Sequence, residues 1–295
     1  MNLERWYRPK GGAVRKPAVL FGKYQLERVI GRGRSGTGFL ARHLGLDEER
    51  AIKRVRRTES GFIQEAALWK RLRHPGIPII YDLEIDENYY YLIEEYLCGE
   101  SLYARIERTG SLQTGELIRL GIELCRIMNY LHSFKPNPIL YLDLHPGNLL
   151  ICREQLKLID FDQAALASLS QERSVCYGTK GFAAPEQYEG GTLDERTDIY
   201  AIGALLYYMG TGHAPEGEIK AGQGSCRGDL YILMGRCLRT EKKERCQSVR
   251  EVLEALEKLE ARIFAERHIP LLRIAAAGSR SGIGVTHTAL GAVRY

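Results

Sequence analysis

The stretch Leu140–Asp162, LYLDLHPGNLLICREQLKLIDFD, holds two acidic centres, Asp143 and Asp160, with the amide of Asn148 between them. Short apolar runs separate these polar residues, which predicts small strands that flank two loops. Phosphoryl transfer needs an acceptor for the proton of the attacking hydroxyl and hard oxygen ligands for Mg²⁺. The stretch offers both, so it is a candidate site for that chemistry.

Composition sets the outer bounds on the fold and on function. The chain has 295 residues, 44% of them hydrophobic, which suffices for one large domain or two modest lobes. Its net charge is only +5, and no segment combines many basic residues with aromatic ones, so we expect no nucleic-acid binding. The seven cysteines show no C-x-x-C pair, which favours reduced thiols in a cytoplasmic protein. No apolar run approaches the roughly 18 residues of a membrane span, and nothing indicates an oligomeric state.

A cluster of glycines follows the first strand pattern, which begins at Tyr24. The segment Gly31-Arg32-Gly33-Arg34-Ser35-Gly36 lies between two apolar runs and contains the spacing G-x-G-x-x-G. The backbone of such a hairpin can approach phosphates closely because no Cβ atom blocks it. Alone, the motif fits an ordinary hairpin turn as well. No helix pattern follows it, which argues against the dinucleotide-binding fold that shares this spacing.

The next strand pattern places Lys53 on the same face as the apolar Ala51 and Val55. Lys53 therefore points towards whatever the glycine hairpin covers, or else lies on the surface of an edge strand. The helix pattern that follows carries Glu65 on its apolar stripe. A carboxylate there is usually a boundary residue that reaches water, but Lys53 gives it a partner. We therefore expect an ion pair between Lys53 and Glu65.

Strand patterns dominate the chain up to Cys98 and helix patterns dominate from Gly99, which predicts an α+β fold with two lobes. The longest predicted helix runs from Thr114 to His132. The expected units are a flexible tail at 1–23, a β-rich lobe with one main helix at 24–98, a larger and mostly helical lobe at 99–263, and a C-terminal tail at 264–295.

The C-terminal tail contains a motif of its own. An apolar run, Leu271–Ala277, precedes the Gly-rich segment 278–287, and this order resembles the strand and turn that open a MinD/ParA-type P-loop. Arg280 and Val285 stand where that family has lysines, and roughly ten residues of helix cannot complete such a domain. We expect a docking tail or the start of a degenerate second domain.

The order of these features resembles that of a bacterial eukaryotic-type (Hanks-type) Ser/Thr protein kinase, from about Tyr24 to Ile263. Nine features agree in order, which is far more specific than any one of them. They are the glycine cluster, Ala51-Ile52-Lys53, Glu65, His74-Pro75, Asp143 with Asn148, Asp160-Phe161, Ala184-Pro185-Glu186, Asp198 and Arg245. The resemblance implies a bilobal kinase fold that binds ATP and Mg²⁺ between its lobes.

The resemblance also implies a role for each matching residue of Leu140–Asp162, which we call the catalytic stretch. Asp143 would accept or orient the proton of the substrate hydroxyl, and Asn148 and Asp160 would hold Mg²⁺. His145 stands where the family has a lysine that meets the charge of the transferring phosphoryl group. Thr179 matches the position that contacts the catalytic aspartate in Ser/Thr-directed members, which favours serine or threonine acceptors.

The nucleotide would lie between the glycine hairpin and the catalytic stretch. By resemblance, Lys53, held by Glu65, would orient the α- and β-phosphates, and the adenine would meet the backbone of Glu95–Leu97. The complete nucleotide-binding set that the resemblance implies is Gly31, Arg32, Gly33, Arg34, Ser35, Gly36, Ala51, Lys53, Glu95, Leu97 and Leu150.

Four departures from the family pattern concern rate and regulation. Leu142 replaces the arginine that anchors an activation-loop phosphate, so switching by phosphorylation in the common way is disfavoured. His145 is a smaller and only partly charged donor near neutral pH. Asp162 replaces a flexible glycine and adds an acid beside the metal site, which either raises metal affinity or stiffens the loop. Glu94 places a polar side chain at the back of the nucleotide pocket, where the family has an apolar one.

The sequence therefore predicts a Ser/Thr protein kinase that acts on protein substrates, and it allows phosphorylation of the chain by itself. Two alternatives remain. A pseudokinase-like ATP-binding module fits the changes at Leu142, His145 and Asp162. A phosphotransferase for small molecules fits the same fold, but Thr179 and Ala184-Pro185-Glu186 disfavour it because they belong to the peptide-facing surface of kinases.

Overall fold

The computed structural model describes residues 18–33, 36–57, 62–170, 178–216, 219 and 228–278, with the backbone alone at 64, 169–170 and 267–278. Arg34, Ser35 and the segment 279–295, on which several predictions fall, lie outside the described residues. Within the described part of the chain, no helix combines the length and the apolar character needed to cross a membrane.

An antiparallel six-stranded sheet forms the first lobe, in the order β1-β2-β3-β4-β6-β5. One face packs Tyr24, Ile52 and Ile93 into a small core, and the other packs Val55 and Leu92 against helix α1. The elements are β1 Val19–Leu20, β2 Tyr24–Arg32, β3 Thr37–His43, β4 Glu48–Arg56, α1 Phe62–Trp69, β5 Ile80–Ile85 and β6 Tyr89–Glu95.

The predicted tail at 1–23 is wrong at its end. Val19 pairs with Gln25 and Leu20 with Tyr24, so β1 already belongs to the sheet. Two short apolar residues give no periodicity from which a strand can be predicted, and their pairing depends on the turn that follows.

The second lobe packs its helices around α6, which is buried along nearly its whole length. The predicted helix Thr114–His132 is confirmed as α3. At Gly121 of α3 a Cβ atom would stand 2.8 Å from Leu206 of α6, so glycine permits the close packing of these helices. The helices are α2 Leu102–Thr109, α3 Thr114–His132, α4 Ala167–Ser170, α5 Pro185–Glu189, α6 Glu195–Thr211, α7 Gly228–Cys237 and α8 Val249–Gly278.

Helix α8 overturns one prediction about the C-terminus. It continues without a break past residue 263, and the end of the second lobe at that residue stays a prediction. The segment Leu271–Ala277 is helical, so the predicted strand of a P-loop is wrong there. A run of seven residues that are apolar except for Arg273 fits a strand and a helix equally well, and the preceding helix extends through it.

The catalytic stretch forms small strands around two loops, as predicted. Strand β8 pairs with β11, while β9 pairs with both β10 and β7. Their bounds are β7 Glu100–Ser101, β8 Ile139–Leu140, β9 Leu149–Cys152, β10 Gln155–Leu158 and β11 Ala165–Leu166. The α+β, two-lobed fold is thereby confirmed, and Asp160 of the second loop contacts Lys53 of the first lobe.

Candidate active site

The loop that carries Asp143 is fixed by a buried carboxylate of α6. Asp198 is 1% exposed, and its two oxygens accept hydrogen bonds from the backbone N–H groups of Tyr141 (2.9 Å) and Leu142 (2.8 Å). His132 Nε2 lies 2.9 Å from the same carboxylate. Leu142 has φ +66°, a left-handed conformation that persists only where the surroundings hold it. These donors offset the cost of burying the charge and fix the start of the loop.

The carboxylate of Asp143 meets two polar side chains. The hydroxyl of Thr179 donates to Asp143 Oδ1 at 2.8 Å, and His145 Nε2 lies 3.8 Å from Oδ2. His145 Nδ1 accepts from the N–H of Gly147 at 3.1 Å, so the proton of the neutral ring is on Nε2, facing Asp143. Burial lowers the pKa of His145 and outweighs the opposite effect of Asp143 and Asp160. His145 is therefore a neutral donor at pH 7.

Asn148 and Asp160 supply oxygen ligands from two adjacent loops. The Asn148 side-chain N–H donates to the carbonyl of Asp143 at 3.1 Å, which identifies Oδ1 as the end available to a ligand. The backbone N–H of Ile159 donates to the carbonyl of Asn148 at 2.9 Å and joins the loops. The side chain of Asp160 is 44% exposed. One amide and one carboxylate oxygen suit Mg²⁺, which takes few protein ligands and completes its shell with water and phosphate.

The ion pairs of Lys53 differ from the one predicted from the sequence. Its ammonium lies 2.8 Å from Asp160 Oδ1 and in close contact with Asp162 Oδ1. Among the ion pairs of the described residues, the predicted pair between Lys53 and Glu65 is not formed. Glu65 lies in the first turn of α1, where the helix dipole favours an acid. Burial alone would lower the pKa of Lys53, but Asp160 and Asp162 outweigh it and raise that pKa.

Glu94 lines a cavity next to Lys53. Apolar side chains, Trp69 and Phe161 among them, form most of its wall, and Asp160 and Asp162 complete it. Burial raises the pKa of Glu94 to about 7, with Lys53 acting in the opposite direction. The polar residue noted in the sequence thus stands at the back of the cleft as a carboxyl group that titrates near neutral pH.

The glycine hairpin leaves space for a ligand on one side. A Cβ atom at Gly31 or Gly33 would meet nothing within 4 Å, whereas at Gly36 it would lie 2.2 Å from the carbonyl of Arg54. The N–H of Gly33 donates to the carbonyl of Gly36 at 2.9 Å and closes the turn. Arg32 ends strand β2. This open space at Gly31 and Gly33 fits the close approach of a phosphate chain to the backbone.

The structure gives the backbone positions of the residues predicted to hold adenine, while their contacts with adenine stay predictions. Ala51 pairs with Glu94 across strands β4 and β6, and Leu150 pairs with Ser101. The backbone N–H of Glu95 donates to the carbonyl of Ile79 at 2.8 Å, so the group of Glu95 that is left for adenine is its carbonyl. The contact of adenine with Leu97, and its position between Ala51 and Leu150, remain predictions.

Two contacts of the catalytic loop were not predicted from the sequence. Gln187, 2% exposed, donates to the carbonyl of Leu142 at 2.8 Å. The hydroxyl of Tyr141 lies 2.5 Å from the carbonyl of Ile159 and 2.9 Å from that of Asp160, so the two carbonyls share its one proton, and its ring packs edge-on against Phe161. Neither contact could be predicted, because contacts over long sequence separations give no local signal.

Comparison with known proteins places these features in one family. Residues 24–266 match the protein kinase domain. The chain is 35% identical over 209 residues to the serine/threonine-protein kinase PrkC of Bacillus subtilis, covering 67% of this chain and 32% of PrkC. It is 31% identical over 216 residues to PknB of Mycolicibacterium smegmatis, covering 68% and 34%, and 30% identical over 213 residues to pkn3 of Myxococcus xanthus, covering 65% and 38%. The chain thus matches about a third of the length of these curated relatives.

Proposed function

Because this chain belongs to the protein kinase family, we propose that it transfers the γ-phosphate of ATP to serine or threonine hydroxyls of proteins. One observation carries the proposal: Asp143 accepts a hydrogen bond of 2.8 Å from the hydroxyl of Thr179. A carboxylate that accepts from an aliphatic alcohol in this geometry can accept from a substrate alcohol in the same way. The names of the relatives, which include serine/threonine-protein kinases, support the same choice of acceptor.

Asp143 orients the attacking hydroxyl and takes up its proton as the bond to phosphorus forms. Its side chain is 26% exposed, so a substrate can reach it, while Asp198 fixes the backbone of the preceding residue, Leu142. The neutral His145 presents its Nε2–H next to this carboxylate. We assign it to hydrogen bonding with a phosphoryl oxygen, a weaker contribution than that of a permanent cation.

Lys53 and the glycine hairpin bind the phosphate chain. The ammonium of Lys53 would move from Asp160 to the α- and β-phosphate oxygens of the nucleotide. Asn148 and Asp160 would hold Mg²⁺. When bound, this ion neutralises the charge of the phosphate oxygens. Positioning and charge neutralisation are most of what phosphoryl transfer requires.

Activation by a phosphate on the loop before Thr179 is disfavoured in the usual form. Leu142 stands where the family has arginine, and it is 3% exposed in an apolar cluster with Leu140, Ala165 and Leu193. No cation at this position can bind a phosphate. Autophosphorylation remains part of the proposal as a reaction, with protein hydroxyls of the same chain as substrates.

A transfer assay with radiolabelled ATP and Mg²⁺ tests the proposal. We expect the wild-type chain to label serine or threonine in a protein substrate or in itself, and Asp143→Asn to lower that rate by at least about a thousandfold. Asp47→Asn, which removes an exposed acid of the first lobe that pairs with Arg42, is the matched control. Nucleotide binding without transfer in any variant would instead support the pseudokinase alternative, and transfer to free sugars alone would support a small-molecule phosphotransferase.

A further inference from the structure

Two carboxylates of one short segment share the ammonium of Lys53. Asp160 Oδ1 lies 2.8 Å from Lys53 Nζ, and Asp162 Oδ1 is the second acceptor of the same ammonium. The two acids are separated by Phe161, whose ring is 8% exposed and packs against Tyr141. The aromatic ring is thus anchored in the core while both acids face the cleft.

The two acids differ in their exposure. The side chain of Asp160 is 44% exposed, but that of Asp162 is only 18% exposed, close to the 19% of Lys53 itself. A metal ion that enters from solvent reaches the exposed carboxylate first. The buried carboxylate is better placed to remain with the ammonium, because an ion pair strengthens as solvent is removed from it.

The segment around Asp162 is fixed on both sides. The carbonyl of Asp160 accepts from the Tyr141 hydroxyl, and the N–H of Ala164 donates to the carbonyl of Phe161 at 3.0 Å to close a turn. Directly afterwards, Ala165 pairs with Leu140 between β11 and β8. A carboxylate held by a turn and a strand pair keeps its position relative to Lys53 when Asp160 turns to the metal.

We propose that Asp162 is the positioning residue of Lys53: its carboxylate holds the ammonium at the phosphates of the nucleotide, the task that family resemblance gives to Glu65. The inference rests on the proposed function, because it concerns how the same site binds ATP. The proposal also distinguishes between the two effects considered for Asp162 in place of the family's glycine, which are a higher affinity for the metal ion and a stiffer loop. The aspartate stiffens the site through Lys53, while Asn148 and Asp160 remain the metal ligands.

Two substitutions at residue 162 test the proposal. Asp162→Asn keeps the shape of the side chain and removes its charge, while Asp162→Glu keeps the charge. We expect Asp162→Asn to weaken equilibrium binding of Mg-ATP and to lower kcat/KM for ATP, each by at least about tenfold. Asp162→Glu should recover part of both losses. Asp47→Asn serves as the control on the same lobe as Lys53, and circular dichroism verifies that every variant is folded.

A double-mutant cycle separates positioning from a general structural role. If Asp162 acts through the ammonium, Asp162→Asn will change Mg-ATP affinity little further in a Lys53→Gln background. Equal losses in both backgrounds would overturn the proposal. So would wild-type affinity in Asp162→Asn, or a higher affinity or rate, since Asp162 would then compete with the nucleotide for Lys53.

A wild-type chain that binds Mg-ATP but transfers no phosphate refutes the proposed function alone, because the affinity cycle still decides the role of Asp162. A wild-type chain that binds no Mg-ATP refutes both.

Discussion

The buried charges on the two sides of the catalytic stretch differ in whether each charge has a fixed partner. On one side, Asp198 accepts hydrogen bonds from the loop backbone, and Glu186 forms an ion pair with Arg245. We call these three residues, each of which has fixed partners, the anchor cluster. All five N–H groups of the Arg245 guanidinium donate hydrogen bonds, two of them to the carboxylate of Glu186 at 2.8 Å. Its side chain is 0% exposed. Such a cluster has one low-energy arrangement.

Above the stretch lies a lysine cluster of Lys53, Glu94, Asp160 and Asp162, in which one cation faces three carboxyl groups. Burial raises the pKa of Glu94, Lys53 opposes this effect, and Asp160 and Asp162 add to it. The same two aspartates give Lys53 two competing partners. A cation from solution, or a phosphate chain with its metal ion, changes this balance, whereas it cannot change the anchor cluster. The difference separates the part that carries the loop from the part that responds to ligand.

The strongest test of this comparison breaks the anchor cluster. We expect Arg245→Met to lower the free energy of unfolding by about 3–5 kcal/mol, because the carboxylate of Glu186 is left buried without its cation. Urea denaturation followed by circular dichroism measures the loss. The surface variant Arg126→Met, which breaks an exposed pair with Glu257, should cost less than about 1 kcal/mol.

A second variant keeps the test informative if Arg245→Met is too unstable to study. Replacing both partners, in Glu186→Met with Arg245→Met, removes the unpaired charge and should restore part of the lost stability. Equal losses for Arg126→Met and Arg245→Met would show that the anchor cluster does not stabilise the fold more than a surface pair does.

The anchor cluster and the lysine cluster also differ in how far the sequence reveals them. Long periodic segments such as α3 could be predicted to the residue, because a single amphipathic face determines them. Asp143, Asn148 and Asp160 could be located because their motif is local. The partner of Lys53 could not, since it depends on which carboxylates meet in space. Gln187 was missed for the same reason, as it contacts a carbonyl 45 residues earlier in the chain.

Titration of Glu94 tests whether burial at the back of the cleft keeps its carboxyl group protonated up to about neutral pH. The pKa of Glu94 in the folded protein, about 7, lies above the ordinary value of 4.5. The folded state therefore binds more protons than the unfolded state between these values, and the free energy of unfolding decreases as pH rises from 4.5 to 7. We expect Glu94→Gln to be more stable than wild type by about 2–3 kcal/mol above pH 7, with the gain falling to near zero at pH 4.5. Urea denaturation across this range measures it. Glu257→Gln, on the surface, is the control, and a gain independent of pH would contradict the assignment.

The smallest expected change in the free energy of unfolding is that of a substitution at Tyr141, which contacts both clusters. The backbone N–H of Tyr141 donates to Asp198, and its hydroxyl lies 2.5 Å from the carbonyl of Ile159 and 2.9 Å from that of Asp160, which share its one proton. Burial, with Asp160 and Asp143 adding to it, raises the pKa of Tyr141 well above its usual range, so the hydroxyl remains a donor. We expect Tyr141→Phe to lower the free energy of unfolding by about 1 kcal/mol, since one net hydrogen bond is lost and a carbonyl is left unsatisfied.

Tyr188→Phe provides the matched control, because Tyr188 is 51% exposed and donates to the carbonyl of Gly178 over 3.2 Å. Its loss should stay within about 0.5 kcal/mol. If Tyr141→Phe costs no more than this control, the hydroxyl does not couple the clusters, and the position of Asp160 is set by the lysine cluster alone. A loss near that of Arg245→Met would instead place Tyr141 within the anchor cluster, so that the loop of Asp160 would be as rigid as the loop of Asp143.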